Sequence, residues 1–461
     1  MSQPPKTALT RYGGWYPANP AIYESFIQDL ANQSAPRQRA RAAHTDSVAK
    51  FEAAINADPE MVDLWNQIFL QASPENRVLS YPCYLPPPHS THVYTQITSF
   101  DQLLYSMDII VVAPPRFYIA KDDQGNVIGE PIGVPLYLVF DLLSNTGAAY
   151  DLFRKQAFNT ALKDLLDAWG TYLSDPNQDS NKTLTDEDEG WFSPIAIQSL
   201  EAEDRGEFNA TYVCPDPDAV NRGFTTWDQF FTREFQPQAR PVINPLVFPV
   251  DKTLIYSACE STVYRIQTSV KDHDQFWLKG QPYSVYGMLY RDEDTAQSFV
   301  GGTVYQAFLS PQDYHRWRCP IYGTITRADV VPGTYYAVLP DAGAEEGDPD
   351  LKPGDPHGAL IRSQAWLTHS SARAIIYIQA DDPIIGLVAF IGVGMAEVST
   401  CTVSVQVGQK VSPGDELGMF HFGGSSHALI FGPQTKVNFA DTVAVDQHIK
   451  VSSIIAQAST A

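Results

Sequence analysis

The sequence predicts an α+β protein in two parts: a helical N-terminal domain over 1–190 and a β-rich domain over 191–461. Three observations predict it. Apolar residues recur at three- and four-residue steps through the first 200 positions. A polar, acidic run, "DPNQDSNKTLTDEDEG" (175–190), then reads as a linker. From about residue 240 short β-branched and aromatic segments alternate with Gly, Pro and Asp turns.

The helical half is clearest in "GAAYDLFRKQAFNTALKDLLDAWGTYL". Tyr150, Phe153, Ala157, Phe158, Ala161, Leu162, Leu165, Leu166, Trp169 and Leu173 fall on one stripe there, the face of an amphipathic helix that packs on a core. "PAIYESFIQDL" and "DSVAKFEAAI" repeat the period more briefly. The Pro-rich "YPCYLPPPHSTHVY" breaks regular structure, and its His89 and His92 read as an exposed pair with no third ligand in view. In the second half "TLIYSACES", "TVYRIQTSV", "GTVYQAFL", "RAIIYIQA" and "CTVSVQV" read as strands. "PIIGLVAFIGVGMA" (383–396) is too short to span a bilayer and reads as buried strands. The insertion 340–358 is turn-rich and has the length of a lid or specificity loop.

Composition narrows the partners. With 31 basic against 53 acidic residues the formal charge is -22, which repels nucleic-acid phosphates and anionic lipid heads. Neither a secretory h-region nor an Arg-rich transit pattern opens the chain, so a cytoplasmic protein without a stable membrane anchor is expected. Five scattered cysteines (83, 214, 259, 319, 401) without a CxxC pair suit a reducing compartment and speak against a zinc site. There is no P-loop, no GxGxxG, and no Gly-x-Ser-x-Gly around Ser425.

One short stretch resists the pattern. In "MFHFGGSSHALIF" (419–431) a linker-like Gly-Gly-Ser-Ser sits between aromatic and apolar flanks, with His421 and His427 beside it. Local sequence reads it as a hairpin turn. Alternation would put His421 with Gly423 on one face, and Phe420 with Phe422 on the other.

Three stretches combine with it: "TWDQFFTREFQPQARPV" (226–242), "FPVDKTL" with Asp251, and "PQDYHRWRCPIYGTI" (311–325) with His315. In this order, with the closing FGGS, they resemble the phosphatidylserine decarboxylase family. "YESFIQDLA", "LFRKQAFNTALKDLLDAWGTYLS" and "ACES" are similar to its soluble fungal L-tryptophan decarboxylase-like branch, which adds a helical N-terminal domain. The resemblance covers most of the chain, loosely before 200 and tightly after 225.

What the resemblance implies is specific. The Gly424–Ser425 bond would break itself, with Ser425 as nucleophile and Gly424 as the scissile carbonyl, and residue 425 would become a covalent pyruvoyl group. No metal and no pyridoxal phosphate would be needed. The β and α chains would stay associated, with a homo-oligomer possible. The substrate would be a small L-amino acid, aromatic in the manner of tryptophan; the alternative is phosphatidylserine. Asp251 and His315 carry over as processing and catalytic residues, although Lys252 stands where many members have Gly. The family pattern HxxH reads His315-Arg316-Trp317-Arg318 here, and an arginine stays protonated and cannot act as a base. Three readings follow: His315, His421 or His427 serves as base with Arg318 supporting; cleavage is slow and strain-driven; or the chain stays whole as an altered-function relative.

Overall fold

The computed structural model describes residues 17, 19–72, 97–122, 124–243, 250–273, 283–341, 358–397 and 400–460. Cys83, His89, His92 and nearly all of the 340–358 insertion lie outside them.

Helices Pro20–Arg39, Asp46–Asn56, Pro59–Ala72, Phe100–Ile110, Pro135–Ser144, Gly147–Leu152 and Gln156–Ser174 build the N-terminal part. Their starts are written locally. The Asn19, Ser99 and Thr146 side chains accept from the amides of Ala21, Gln102 and Ala149, and proline opens three of the helices, where its missing N–H is no loss. The long stripe forms two helices rather than one, because the chain turns at Phe153–Lys155. Ala157 is exposed, while Phe158, Leu162, Leu165, Leu166, Trp169 and Leu173 are buried as the spacing requires. Trp65 centres this layer, ringed by Phe69, Phe100, Phe140, Phe153 and Phe158 at centroid distances of 5.4–6.2 Å. A two-stranded ribbon, Arg116–Lys121 with Val127–Ile132, interrupts the helices where periodicity gave no strand.

The C-terminal part is an eight-stranded antiparallel sheet. Its spatial order is Lys410–Val411, Gly323–Val331, Arg373–Ala380, Leu387–Gly394, Ser425–Phe431, Thr303–Leu309, Ser261–Thr268 and His448–Ile449. Two three-stranded sheets flank it. One joins Thr400–Val403, Glu416–His421 and Arg316–Arg318; the other joins Thr435–Phe439, Ile454–Thr460 and Leu254–Tyr256.

Two cores divide the sheet's faces. Ile391, Val393, Ala428 and Ile430 pack with the N-terminal helices in one. Ala307, Leu309, Phe390, Leu429 and Phe431 pack with Trp317, Leu417 and Phe420 of a small sheet in the other. All seven residues of Ser425–Phe431 are buried, which explains an apolar run in place of alternation. Each fully buried Leu, Ile or Phe contributes roughly 1.5–3 kcal/mol, so this strand is fixed in place from both sides. Because one core is shared by the helices and the sheet, the helical part is backing for the sheet rather than a separate globule.

Candidate active site

The Gly-Gly-Ser-Ser stretch is not a hairpin. Glu416–His421 belongs to a small sheet and Ser425–Phe431 to the large one, so the flanking strands do not pair with each other. The chain crosses from one core to the other here. Phe420 lies in the sheet–sheet core and Phe422 in the helical core, so the expected common face for the two is lost. The crossing is made at Phe422 (φ 38°) and Gly423 (φ 100°), both left-handed. Glycine enters that region at no steric cost; phenylalanine does not.

Gly424 is buried, and Ser425 starts the central strand opposite Leu309 on one side and Gly394 on the other. The Ser425 Oγ is fully buried and accepts or donates no hydrogen bond. A buried hydroxyl left without a partner costs about 1–3 kcal/mol, so it is a place to look for chemistry.

His427 follows two residues on. Strand alternation puts it on Ser425's side of the sheet, among Tyr305 and Phe390 at 5.8 and 6.0 Å between ring centroids. Both its ring nitrogens are buried and unpartnered, and burial pushes its imidazole down to about 3, so it is neutral at physiological pH. His315 is also buried with two unpartnered nitrogens and pushed by burial to about 3, its ring stacked on Phe231 at 3.8 Å. Its carbonyl accepts from Phe420 N, which keeps it near the crossing. His421 is different. Its Nδ1 lies 3.0 Å from both carboxylate oxygens of Asp228, and its Nε2 is 3.0 Å from Thr402 Oγ1. A cleft of about 320 Å³ opens beside it, lined by Asp167, Gly170, Ser174, Asp228, His421 and Phe422.

Two expected residues are not brought together with Ser425. Asp251 accepts from Thr253 N and Oγ1 and from Gln457 Nε2, and its neighbour Lys252 pairs with Asp381 at 2.7 Å. Asp381 follows Arg373–Ala380 at the end of the sheet where Phe431 lies, six strand steps from Ser425, or about 20 Å. Arg318 pairs in register with Glu416, five steps or about 16 Å along the strand from His421, and its guanidinium donates to the Tyr314 hydroxyl. Among the described residues no hydrogen bond joins Asp251, Arg318, His315, His421 or His427 to Ser425.

Three carboxylates went unassigned in the sequence. Asp228 lies inside "TWDQFFTREFQPQARPV", 193 positions from its partner His421. Asp313, inside "PQDYH", is fully buried; Arg205 Nε at 2.8 Å and His448 Nε2 at 3.1 Å outweigh the opposing effect of burial and hold its carboxyl far below the usual range. Glu397 is fully buried three residues past Gly394, with Oε1 taking the Tyr137 amide at 2.9 Å and Oε2 unpartnered, and burial lifts it to about 8. An acid directly behind a long apolar run was the available signal for Glu397. Among the described residues no group of three or more His, Cys, Asp and Glu could hold a metal ion, and no helix is long and apolar enough to cross a membrane.

An antiparallel sheet backed by helices thus carries a buried serine just after a left-handed turn. Sequence comparison names its class: the phosphatidylserine decarboxylase family matches residues 227–457, and a second phosphatidylserine decarboxylase family matches residues 45–200. The chain belongs to the phosphatidylserine decarboxylase family and is a carboxy-lyase. It is 58% identical over 351 residues to the decarboxylase iboD of Amanita muscaria, covering 76% of this chain and 99% of that one. It is 34% identical over 429 residues to the L-tryptophan decarboxylase of Psilocybe cubensis, covering 90% and 87%. Over 234 residues it is 30% identical to phosphatidylserine decarboxylase proenzyme 3 of Schizosaccharomyces pombe, covering 50% and 21%.

Proposed function

We propose that the protein is a pyruvoyl-dependent decarboxylase of a small aromatic L-amino acid, with tryptophan the first to test, and that it processes itself at Gly424–Ser425. The observation that carries the reading is the buried, unpartnered Ser425 hydroxyl directly behind the left-handed turn, in a chain with L-tryptophan decarboxylase and proenzyme relatives. The residues fit a group made in place. The strand that would follow the break is paired on both sides over all seven residues, so the new chain end stays docked. In this reading 191–461 carries the chemistry and 1–190 packs behind it.

Processing needs only the chain and water. Ser425 Oγ attacks the Gly424 carbonyl carbon; a C–O bond forms, the C–N bond breaks, and the hydroxyl proton ends on the freed amine. Loss of the Ser425 Cα proton then breaks the Cβ–Oγ bond and expels the Gly424 carboxylate. Water adds to the dehydroalanine left behind and ammonia leaves, giving a ketone. His427, neutral and on the serine's side of the strand, is the base for the first proton. Its weak basicity makes the step slow, which a single turnover per chain tolerates.

The pyruvoyl ketone supplies an electron sink for the pair released as CO2 departs. The chain's own residues do the rest. In this reading the amino acid enters by the cleft beside His421, whose lining reaches Phe422, three residues before Ser425. His421, oriented by Asp228, returns a proton to the carbon that lost its carboxyl. His315 holds no imidazolium proton to give, because burial keeps it neutral. Incubation with tryptophan, other L-amino acids and phosphatidylserine vesicles tests the substrate. Amine product from an aromatic amino acid is expected; turnover of the vesicles alone replaces this reading with the lipid one.

A further inference from the structure

We propose that helix Gln156–Ser174 is a processing clamp, in which the notch at Gly170 seats the Phe422 ring and holds the strained turn that presents the Gly424–Ser425 bond. The inference rests on the self-cleavage reading above and gives the helical part a task in it.

Phe422 sits at φ 38°, a region that a bulky aromatic enters only when its surroundings impose it, at about 1–3 kcal/mol. Helix Gln156–Ser174 imposes it. A methyl built on Gly170 would lie 2.4 Å from Phe422 Cζ and 2.8 Å from Cε2, so the ring fills the space a side chain would take. Glycine inside a 19-residue helix costs about 1 kcal/mol relative to alanine, and nothing within the helix calls for it. Trp169 closes the seat at 6.3 Å between ring centroids, itself anchored by its indole N–H on the Ala113 carbonyl at 2.9 Å. One residue earlier His421 is held by Asp228.

The turn is therefore pinned at 421 and 422, and the strand is pinned from 425 by Leu309 and Gly394. Only Gly423 and Gly424 lie between the two anchors. The angle at which the Gly424 carbonyl meets the Ser425 hydroxyl is set by where Phe422 rests. Displacing the ring moves the carbonyl off the line of attack, and misplacement on the order of 1 Å can slow a reaction about a hundredfold. For self-cleavage Gly170 and Phe422 are positioning residues that act through the turn, and both also line the cleft beside His421.

The test follows the roughly 4 kDa fragment as it is released from freshly translated full-length chain. It compares wild type, Gly170→Ala, Phe422→Leu and the double variant, with thermal unfolding measured on each. Gly170→Ala pushes the ring out and Phe422→Leu leaves the notch half empty, so each is expected to cleave about tenfold more slowly or worse. The double variant, whose smaller side chain meets the added methyl, recovers most of the rate. Unchanged cleavage in both single variants, or slow cleavage in all three that tracks their unfolding temperatures, overturns the clamp. Should Gly170→Ala fail to fold, Phe422→Leu decides alone, a wild-type rate overturning the clamp. Wild type that releases no fragment removes the self-cleavage reading and the clamp with it.

Discussion

The Ser425 and His427 side chains lie on the same face of one strand, two residues apart, each buried and neither making a hydrogen bond. A native interior leaves few polar groups in that condition. Ser425→Ala is expected to keep the chain whole and inactive. His427→Ala is expected to slow fragment release about a hundredfold or more, the usual worth of a general base, while His315→Ala leaves it within about tenfold. Time courses on denaturing gels separate the two; equal slowing by both histidines would remove His427 from its role.

His421 and Asp228 belong to the later chemistry. Asp228→Asn, whose amide oxygen still accepts from His421 and so keeps that anchor of the turn, should leave fragment release within a few-fold of wild type and lower kcat by about tenfold to a hundredfold, because the imidazole loses the carboxylate's charge. The check is kcat on fully processed enzyme. A loss confined to KM would mean that the pair binds substrate rather than handling a proton.

Stability should peak near pH 6.5. Burial holds His315, His369 and His427 at about 3, whereas the unfolded chain takes up those protons near 6.5. Below 6.5 the unfolded state binds more protons, so each histidine removes about 1.4 kcal/mol of stability per pH unit as pH falls. Glu397 acts with the opposite sign, since burial lifts it from 4.5 to about 8 and its contribution is lost as pH rises between those values. Three histidines outweigh one glutamate below 6.5; above it the glutamate slope remains. Melting temperatures across pH 5–8 check this. Glu397→Gln should flatten the alkaline side and steepen the acid side, where the glutamate opposes the histidines down to about pH 4.5, and a wild-type profile still climbing at pH 8 contradicts the assignment.

Asp313 ties three segments, taking Arg205 Nε at 2.8 Å, His448 Nε2 at 3.1 Å and the Ser310 amide at 2.7 Å. Asp313→Asn removes the buried carboxylate from Arg205 and leaves it only the half-exposed Glu203 at 2.9 Å, and is expected to cost about 3–5 kcal/mol in urea unfolding. A change under about 1 kcal/mol would show the pair to be solvated.

Much of this was legible in the residues, for local reasons. Helical spacing found the buried face from Phe158 to Leu173, and "RAIIYIQA" coincides with the strand Arg373–Ala380. What local pattern cannot carry is pairing between distant segments. Nothing near 420 says that Glu416–His421 and Ser425–Phe431 join different sheets, because a hairpin and a crossover both need turn residues between apolar runs. Asp251 satisfied a motif, yet its backbone leads into Leu254–Tyr256, a strand of a flanking three-stranded sheet. Asp228 was invisible because its partner lies 193 residues away, and Gly170 read only as an ordinary helix position until Phe422 was seen to fill its side.

The measurement that bears most directly on self-processing is the intact mass of the purified protein. Cleavage before Ser425 predicts a large chain and a second of about 4 kDa, residues 425–461, whose first residue carries a carbonyl that hydroxylamine modifies. A single unmodified species at the encoded 51.1 kDa would contradict it.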